Sequence, residues 1–291
     1  MASAFPLVAD GQPTLSEMIV RNDDSVKISD DEFARAAAMA YKLSGIVIKD
    51  HKREMMQSRL ARRLRALKID GYSAYLDYLD DEKGRDEIGE FVNVVTTNLT
   101  SFFREKHHFE HLRDAILNPM VASGASRIRI WSAACSSGEE PYSIAMTVKN
   151  SKAADMHDLR ILATDLDTNM LSRAREGVYP TERLAQAPRG MVSAATVTKG
   201  DKVTFRPEIR SMITFNQLNL LHNWPMRGPF DVVFCRNVLI YFDLDVKRRI
   251  IDRIARLIRP GGALYLGHSE SLLGSHPHLC SEGRTIYRGR S

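Results

Sequence analysis

Four carboxylates stand where this chain could put them to chemical use. Asp165 and Asp167 lie in "ATDLDTNML", just past a short apolar run, where a buried strand gives way to a helix. Glu139 and Glu140 lie in "SAACSSGEEPYS", in the same relation to the run "RIRIW". A carboxylate at such a junction can cap the helix, hold a metal, or accept hydrogen bonds from the hydroxyls of a sugar. Asp167 directly precedes "TNML" and is placed as a cap. Asp165, at the end of the strand, is placed to accept both hydroxyls of a ribose, as acids do in dinucleotide folds. A metal would need further acids or histidines nearby, and no such cluster is evident, so none is expected.

The first loop has a single glycine, Gly138. It is therefore neither the glycine-rich dinucleotide fingerprint nor a P-loop. Ser132, Ala133, Ala134, Ser136 and Ser137 are nonetheless small enough to let a ligand approach the backbone. Glu139 and Glu140 at a helix start suit a pyrophosphate poorly. They suit a ligand carrying an ammonium or a sulfonium, which argues against a nicotinamide dinucleotide and for S-adenosylmethionine. The plainer alternative is that both glutamates only complement the helix dipole.

The elements that must position these residues follow from pattern. The 291 residues are 44% hydrophobic and 26% charged, ordinary for a globular chain with room for one large and one smaller domain. No apolar stretch approaches the ~20 residues of a membrane helix. The start, "MASAFPLVADGQPTLSEM", lacks the pattern of a signal peptide. Cys135, Cys235 and Cys280 are scattered and odd in number, and are read as free thiols in a reducing cytoplasm. Residues 1–28 are expected to be flexible. From Asp30 to about Asn118 the pattern is helical. "SDDEFARAAAMAYKLSG" opens on Ser29 as N-cap and closes on Gly45 as C-cap, and four further helical stretches follow, the last being "EKHHFEHLRDAIL". Beyond Arg127, strand-like "RIRIWSA", "LRILATD", "FDVVFCRN" and "ALYLGH" alternate with helix-like stretches, which predicts a parallel sheet. Between Gly177 and Leu221 the alternation breaks, and "DKVTFRPEIRSMITFNQ" reads as short strands of a small β insertion. Ligands of such sheets sit beyond the carboxyl ends of the strands, here at "SAACSSGEEPYS", "TDLDTN" and "CRNVLIYF".

Several separated stretches, in order, are "TTNLTSFFRE" (Thr96 to Glu105), "WSAACSSGEEPYSIAM" (Trp131 to Met146), "ATDLDT" (Ala163 to Thr168), "LNLL" (Leu218 to Leu221), "FCRNVLIYFD" (Phe234 to Asp243) and "GHSES". Together they resemble the chemotaxis receptor methyltransferases of the CheR type, over about Ser29 to Arg288. The resemblance implies a fold: an all-helical N-terminal domain at 29–104 and a Rossmann-like α/β methyltransferase domain at 105–291. The latter has a mostly parallel sheet and a small antiparallel β-subdomain inserted at about 178–217. It implies methyl transfer from S-adenosylmethionine to glutamate side chains of transmembrane chemoreceptors, with S-adenosylhomocysteine as the product. Cofactor contacts carry over onto Asn98, Thr100, Arg104, Glu139, Asp165, Asn219, Leu220, Asn237 and Val238. Glu139 would meet the ammonium and Asp165 the ribose.

A glutamate acceptor is already ionised at neutral pH, so its methylation needs no general base. Arg104 and Tyr241 are then expected to be positioning groups at the reacting centre; the alternative for Tyr241 is an aromatic at the boundary with its hydroxyl in water. The net charge of +5 matters less than its distribution. In "HKREMMQSRLARRLRAL", Met56, Leu60, Leu64 and Leu67 form one helical face while Arg59, Arg62 and Arg65 step along another, with Arg63 adding charge. That stripe suits an acidic partner, here the cytoplasmic helical region of a chemoreceptor, with a merely solvated face as the bland alternative. A monomer is expected, with no membrane insertion and no nucleic acid. "AATVTKGDKVTF" lacks the glycine-rich turn of family members that dock a receptor's C-terminal pentapeptide, so no such tether is expected. The rival functions are a nucleic-acid methyltransferase, disfavoured because "CRNVLIYF" stands where an "NPPY"-type loop would, and an inactive module that senses S-adenosylmethionine.

Overall fold

A computed structural model describes residues 27–272 and 274–290. The segment 1–28 expected to be flexible lies, up to residue 26, outside the described residues. The helical part begins with α1 (Asp30–Ser44). Ser29 and Glu32 cap it reciprocally: the Glu32 amide donates to the Ser29 hydroxyl (3.2 Å) and the Ser29 amide to the Glu32 carboxylate (2.9 Å). It ends at Gly45, in the left-handed region at φ 71°, whose amide donates to the Tyr41 carbonyl. Next come α2 (Arg53–Leu67), α3 (Tyr72–Asp80) and α4 (Glu87–Val95). They enclose a core of their own around Phe33, Met56, Leu60, Tyr75, Leu76 and Phe91. The chain then continues through α5 (His107–His111), a π-helical stretch (Leu112–Leu117) and α6 (Asn118–Ala122). These run on where the sequence pattern predicts one helix ending near Leu117.

The second part is built on β1 (Ile128–Ala133), α7 (Glu139–Lys149), β2 (Leu159–Asp165) and α8 (Thr168–Glu176). The chain then leaves the sheet for β3 (Val178–Pro180), a 3-10 turn (Thr181–Leu184), α9 (Arg189–Ala195), β4 (Thr196–Lys199) and β5 (Lys202–Phe205). It returns through α10 (Pro207–Arg210), β6 (Ile213–Gln217), β7 (Phe230–Cys235), α11 (Leu244–Leu257) and β8 (Ile258–Leu266). A hairpin of β9 (Leu279–Gly283) and β10 (Ile286–Gly289) follows. The seven-stranded sheet runs β6-β2-β1-β7-β8-β10-β9, with only the hairpin strands antiparallel.

Alternation along the central strands feeds two cores. Ile128 and Ile130 of β1, with Val232 and Phe234 of β7, face Leu112, Tyr142 and Ile144. Trp131 and Ala133, with Val233 and Cys235, face Ile250, Ile254 and Leu220. Both faces are covered, which is why these strands read as unbroken apolar runs.

The insertion is a three-stranded antiparallel sheet, β3-β5-β4. It is shorter than the expected 178–217, because Ile213–Gln217 pairs in parallel with β2 as the edge of the main sheet. One side of that edge strand meets solvent, so its composition resembles a hairpin strand and its partner cannot be read locally. Among the described residues no helix is long and apolar enough to cross a membrane, and all three cysteines are unpaired thiols.

Candidate cofactor site

Chain order reverses beside β1, with β2 built on one flank and β7 on the other, and a groove opens beyond the carboxyl ends of these strands. It encloses a cavity of about 100 Å³. The loop after β1 forms one wall. Ala134 and Ser136 take left-handed backbone angles (φ 62° and 49°), as does Gly138 (φ 98°). A Cβ on Gly138 would come within 2.6 Å of the Tyr179 hydroxyl and 2.8 Å of Ala174. Asn237, Phe103 and Glu105 are left-handed too, so much of this uncommon geometry gathers around the groove.

The two aspartates divide their work. Asp165 accepts the backbone amides of Ser136 (2.7 Å) and Asp167 (2.9 Å). Burial pushes its pKa up to about 6 despite those amides. Asp167 caps α8 through the amides of Asn169 (2.9 Å) and Met170 (3.1 Å). Its other oxygen accepts the Asn98 side-chain amide (2.7 Å) and the Thr96 hydroxyl (2.8 Å). Asp167 therefore also anchors the segment that leaves the helical part.

That segment, 96–104, crosses the mouth. Asn98, Thr100 and Arg104 line the groove, with Asp165, Asn219, Leu220, Asn237, Val238 and Tyr241. Arg104 donates to the Leu99 carbonyl (3.1 Å), folding back over its own segment. Tyr241 is half-buried, which raises its hydroxyl pKa, and Lys52 Nζ stands 4.7 Å from its ring centre.

Glu139 is the exception. Its carboxylate turns away from the groove, ion-paired with Arg183 and accepting the Ser137 hydroxyl (2.7 Å). The groove receives Glu140 instead. Glu140 accepts the Ser132 hydroxyl (2.7 Å) and pairs with Arg236 at 3.1 Å. The correction has a simple cause: adjacent residues of a helix point about 100° apart, and the packing of α7 selects which one faces the ligand.

Three groups escape the sequence reading. Arg236 keeps 2% of its side chain exposed, pairs with Glu105 at 3.4 Å as well as with Glu140, and donates to the Arg104 carbonyl. Burial raises the Glu140 pKa, with Arg236 opposing; for Glu105 burial also pushes up, but Arg236 and the His268 amide bring it below the usual range. Glu270, of "GHSES", is buried and accepts the amides of Gly267 (2.6 Å), Asn237 (2.8 Å) and Ile240 (3.3 Å), ordering the loop that carries Asn237 and Tyr241. Only the quoted motifs hinted at these residues; nothing in their spacing did.

The donor set decides what the groove can hold. Two carboxylates, Glu140 and Asp165, line the groove; Glu105 shares the buried Arg236 guanidinium with Glu140, and Glu270 lies beneath the loop that carries Asn237. The Glu105 Oε2 and Arg236 Nε atoms are buried without a hydrogen-bond partner. Such a wall favours a ligand bearing positive charge beside a diol, and disfavours a pyrophosphate. It fits S-adenosylmethionine. Among the described residues no group of three His, Cys, Asp or Glu could hold a metal ion.

The basic stripe on α2 is only partly free. Arg62 and Arg65 are exposed. Arg59 donates to the Val94 carbonyl (2.8 Å) and the Thr96 carbonyl at the end of α4. Arg63 pairs with the buried Glu87 at 2.7 and 2.5 Å, which also accepts the Tyr75 hydroxyl at 2.9 Å. Two of the four arginines expected to face a partner therefore hold the domain together. The wheel places them on the border of the apolar face, where burial depends on neighbouring helices.

Residues 31–96 match the family description "CheR methyltransferase, all-alpha domain", and residues 98–287 match "CheR methyltransferase, SAM binding domain". A probable chemotaxis protein methyltransferase of Rhizobium etli is 41% identical, over 86% of this chain and 96% of its own length. Chemotaxis protein methyltransferase 2 of Pseudomonas aeruginosa is 38% identical over 94% and 99% of the two chains. The chemotaxis protein methyltransferase of Escherichia coli is 38% identical over 99% and 98%. The two family matches follow one another along nearly all of the described residues, so the chain belongs to the CheR methyltransferase family, whose cofactor is S-adenosylmethionine.

Proposed function

We propose that this protein transfers the methyl group of S-adenosylmethionine to glutamate side chains in the cytoplasmic helical region of transmembrane chemoreceptors. The products are glutamate methyl esters and S-adenosylhomocysteine. The relatives' names, all chemotaxis protein methyltransferases, support the pathway. The observation that supports the acceptor class is the groove's lining: among the described residues it includes no histidine, lysine or cysteine, and the neighbouring ammonium of Lys52 is turned onto the Tyr241 ring and the Thr97 hydroxyl. Its carboxylates are engaged, Asp165 with two amides and Glu140 with Arg236. An amine or hydroxyl acceptor would need a base to take its proton, whereas a glutamate arrives ionised.

S-Adenosylmethionine supplies an electrophilic methyl group and a sulfonium that departs as a thioether. The chain's residues bind, orient and exclude water. Glu140 would hold the ammonium and Asp165 the ribose diol, with Asn98, Thr100, Asn219, Leu220, Asn237 and Val238 completing the wall. Arg104 orients a carboxylate through its planar donors. Tyr241, a phenol protonated at neutral pH, would donate one hydrogen bond near the reacting oxygen. A tighter grip on the carboxylate would quench the nucleophile, so alignment and desolvation supply the rate. Arg62 and Arg65 on α2 attract the acidic receptor helices.

Incubation with tritiated cofactor and receptor-bearing membranes tests the assignment. Label on receptor that is released by mild base is the expected result. Label on nucleic acid, or none with cofactor bound, would refute it.

A further inference from the structure

The β insertion meets the wall of the cofactor groove through one charged side chain and a set of aromatic rings. Arg183, on the turn after β3, sends Nη2 to the Thr100 carbonyl (3.1 Å) and to the Glu139 carboxylate. Thr100 belongs to the segment crossing the mouth, and Glu139 begins α7 beside Glu140 of the groove wall. Around this junction the segment is embedded in aromatic rings of the insertion. Phe102 meets Tyr179 edge-on at 5.0 Å and Phe205 at 5.8 Å, while the Tyr179 hydroxyl donates to the Ser137 carbonyl at 2.7 Å. At its other end the segment is tied by Asn98 to Asp167 and by the Ser136 hydroxyl to the Asn98 carbonyl (3.0 Å).

The segment between α4 and α5 contains neither helix nor strand. Fixing such backbone costs about 1–2 kcal/mol per residue, and any part not met within the free protein falls on ligand binding. A guanidinium held by a carboxylate and donating to a backbone carbonyl is suited to meet it. We propose that Arg183 is a positioning residue for the cofactor: through it, the β insertion holds the wall formed by Asn98, Thr100 and Arg104. Displacement of the insertion's turn is then felt as a change in cofactor affinity. The inference rests on the reading that this segment covers the cofactor, and is independent of the identity of the acceptor.

Replacing Arg183 alone would strand Glu139, whose side chain is 1% exposed, as an unpaired buried charge. The reference is therefore Glu139→Gln, in which the Ser137 hydroxyl retains an acceptor and the Arg183 bond to Thr100 remains. In Glu139→Gln/Arg183→Ala, calorimetry should show S-adenosylmethionine bound about tenfold more weakly than by the reference, the loss of one charge-assisted hydrogen bond. Glu139→Gln/Arg183→Lys should fall between, since an ammonium can still reach the carbonyl, and it serves as the comparison if the alanine variant does not fold. The KM for acceptor should match the reference. A cofactor affinity within about twofold of the reference in these variants, or a change confined to acceptor KM, overturns the proposal. Failure of the unaltered protein to bind cofactor would instead defeat the underlying reading of the groove.

Discussion

Arg236→Met tests how far the buried guanidinium favours the charged forms of Glu105 and Glu140 at the groove. Its contacts with Glu140 and Glu105, at 3.1 and 3.4 Å, are each worth ~5 kcal/mol gross at an effective dielectric of about 20. Desolvation offsets much of this, and removing one member of a buried pair costs about 3–5 kcal/mol net. Methionine fills most of the space between Phe109 and Phe234, over which the guanidinium lies, so the loss is chiefly electrostatic. That makes it pH-dependent. Glu105 has a lowered pKa in the folded protein, so its contribution is present above the carboxylate range and lost as pH falls. Glu140 is raised by burial, and without Arg236 it rises further, holding its proton to higher pH at about 1.4 kcal/mol per pH unit. Urea unfolding should therefore show a loss of ~3–5 kcal/mol at about pH 8 that is smaller at about pH 5.5. Arg236→Met/Glu140→Gln should recover about half of it. An equal loss at both pH values, with no recovery, would show that packing rather than charge is responsible.

Two further perturbations separate chemistry from architecture. Asp165, with a pKa near 6, loses its ionised acceptor below that pH, so S-adenosylmethionine affinity should fall as pH drops through about 6, and calorimetry on Asp165→Asn should show weak binding without that slope. The same shift makes cofactor-free stability decline as pH rises between about 4 and 6, because the folded protein holds this proton longer than the unfolded chain. On α2, reversing the exposed Arg62 and Arg65 to glutamate should raise acceptor KM while leaving cofactor affinity and thermal midpoint unchanged. Arg63→Ala should instead cost about 3–5 kcal/mol by denaturant unfolding, since Glu87 is only 5% exposed on its side chain.

Local rules were enough for much of this protein. The Ser29 and Gly45 caps of α1, the Asp167 cap of α8 and the apolar face of α2 each depend on neighbours within about four residues, and could be read directly. Alternating strands and helices located three loops at strand ends, and these form the groove. The family motifs supplied Asn98, Arg104, Asn237 and Tyr241, which spacing alone did not single out, and the structure puts them in one wall.

Tertiary packing decided the rest. Glu139 and Glu140 are chemically identical neighbours, and only the rotation of α7 against the sheet turns one toward Arg183 and the other toward the groove. Arg236 meets Glu140 across 96 residues of chain, and the Glu105 side chain reaches the His268 amide across 163. The Glu87 that claims Arg63 sits on another helix, and the strand that claims Ile213–Gln217 lies beyond the insertion. Charge and hydrophobicity along the chain state what each residue prefers; which partner satisfies it is set by distances that exist only after the helices and sheet have packed.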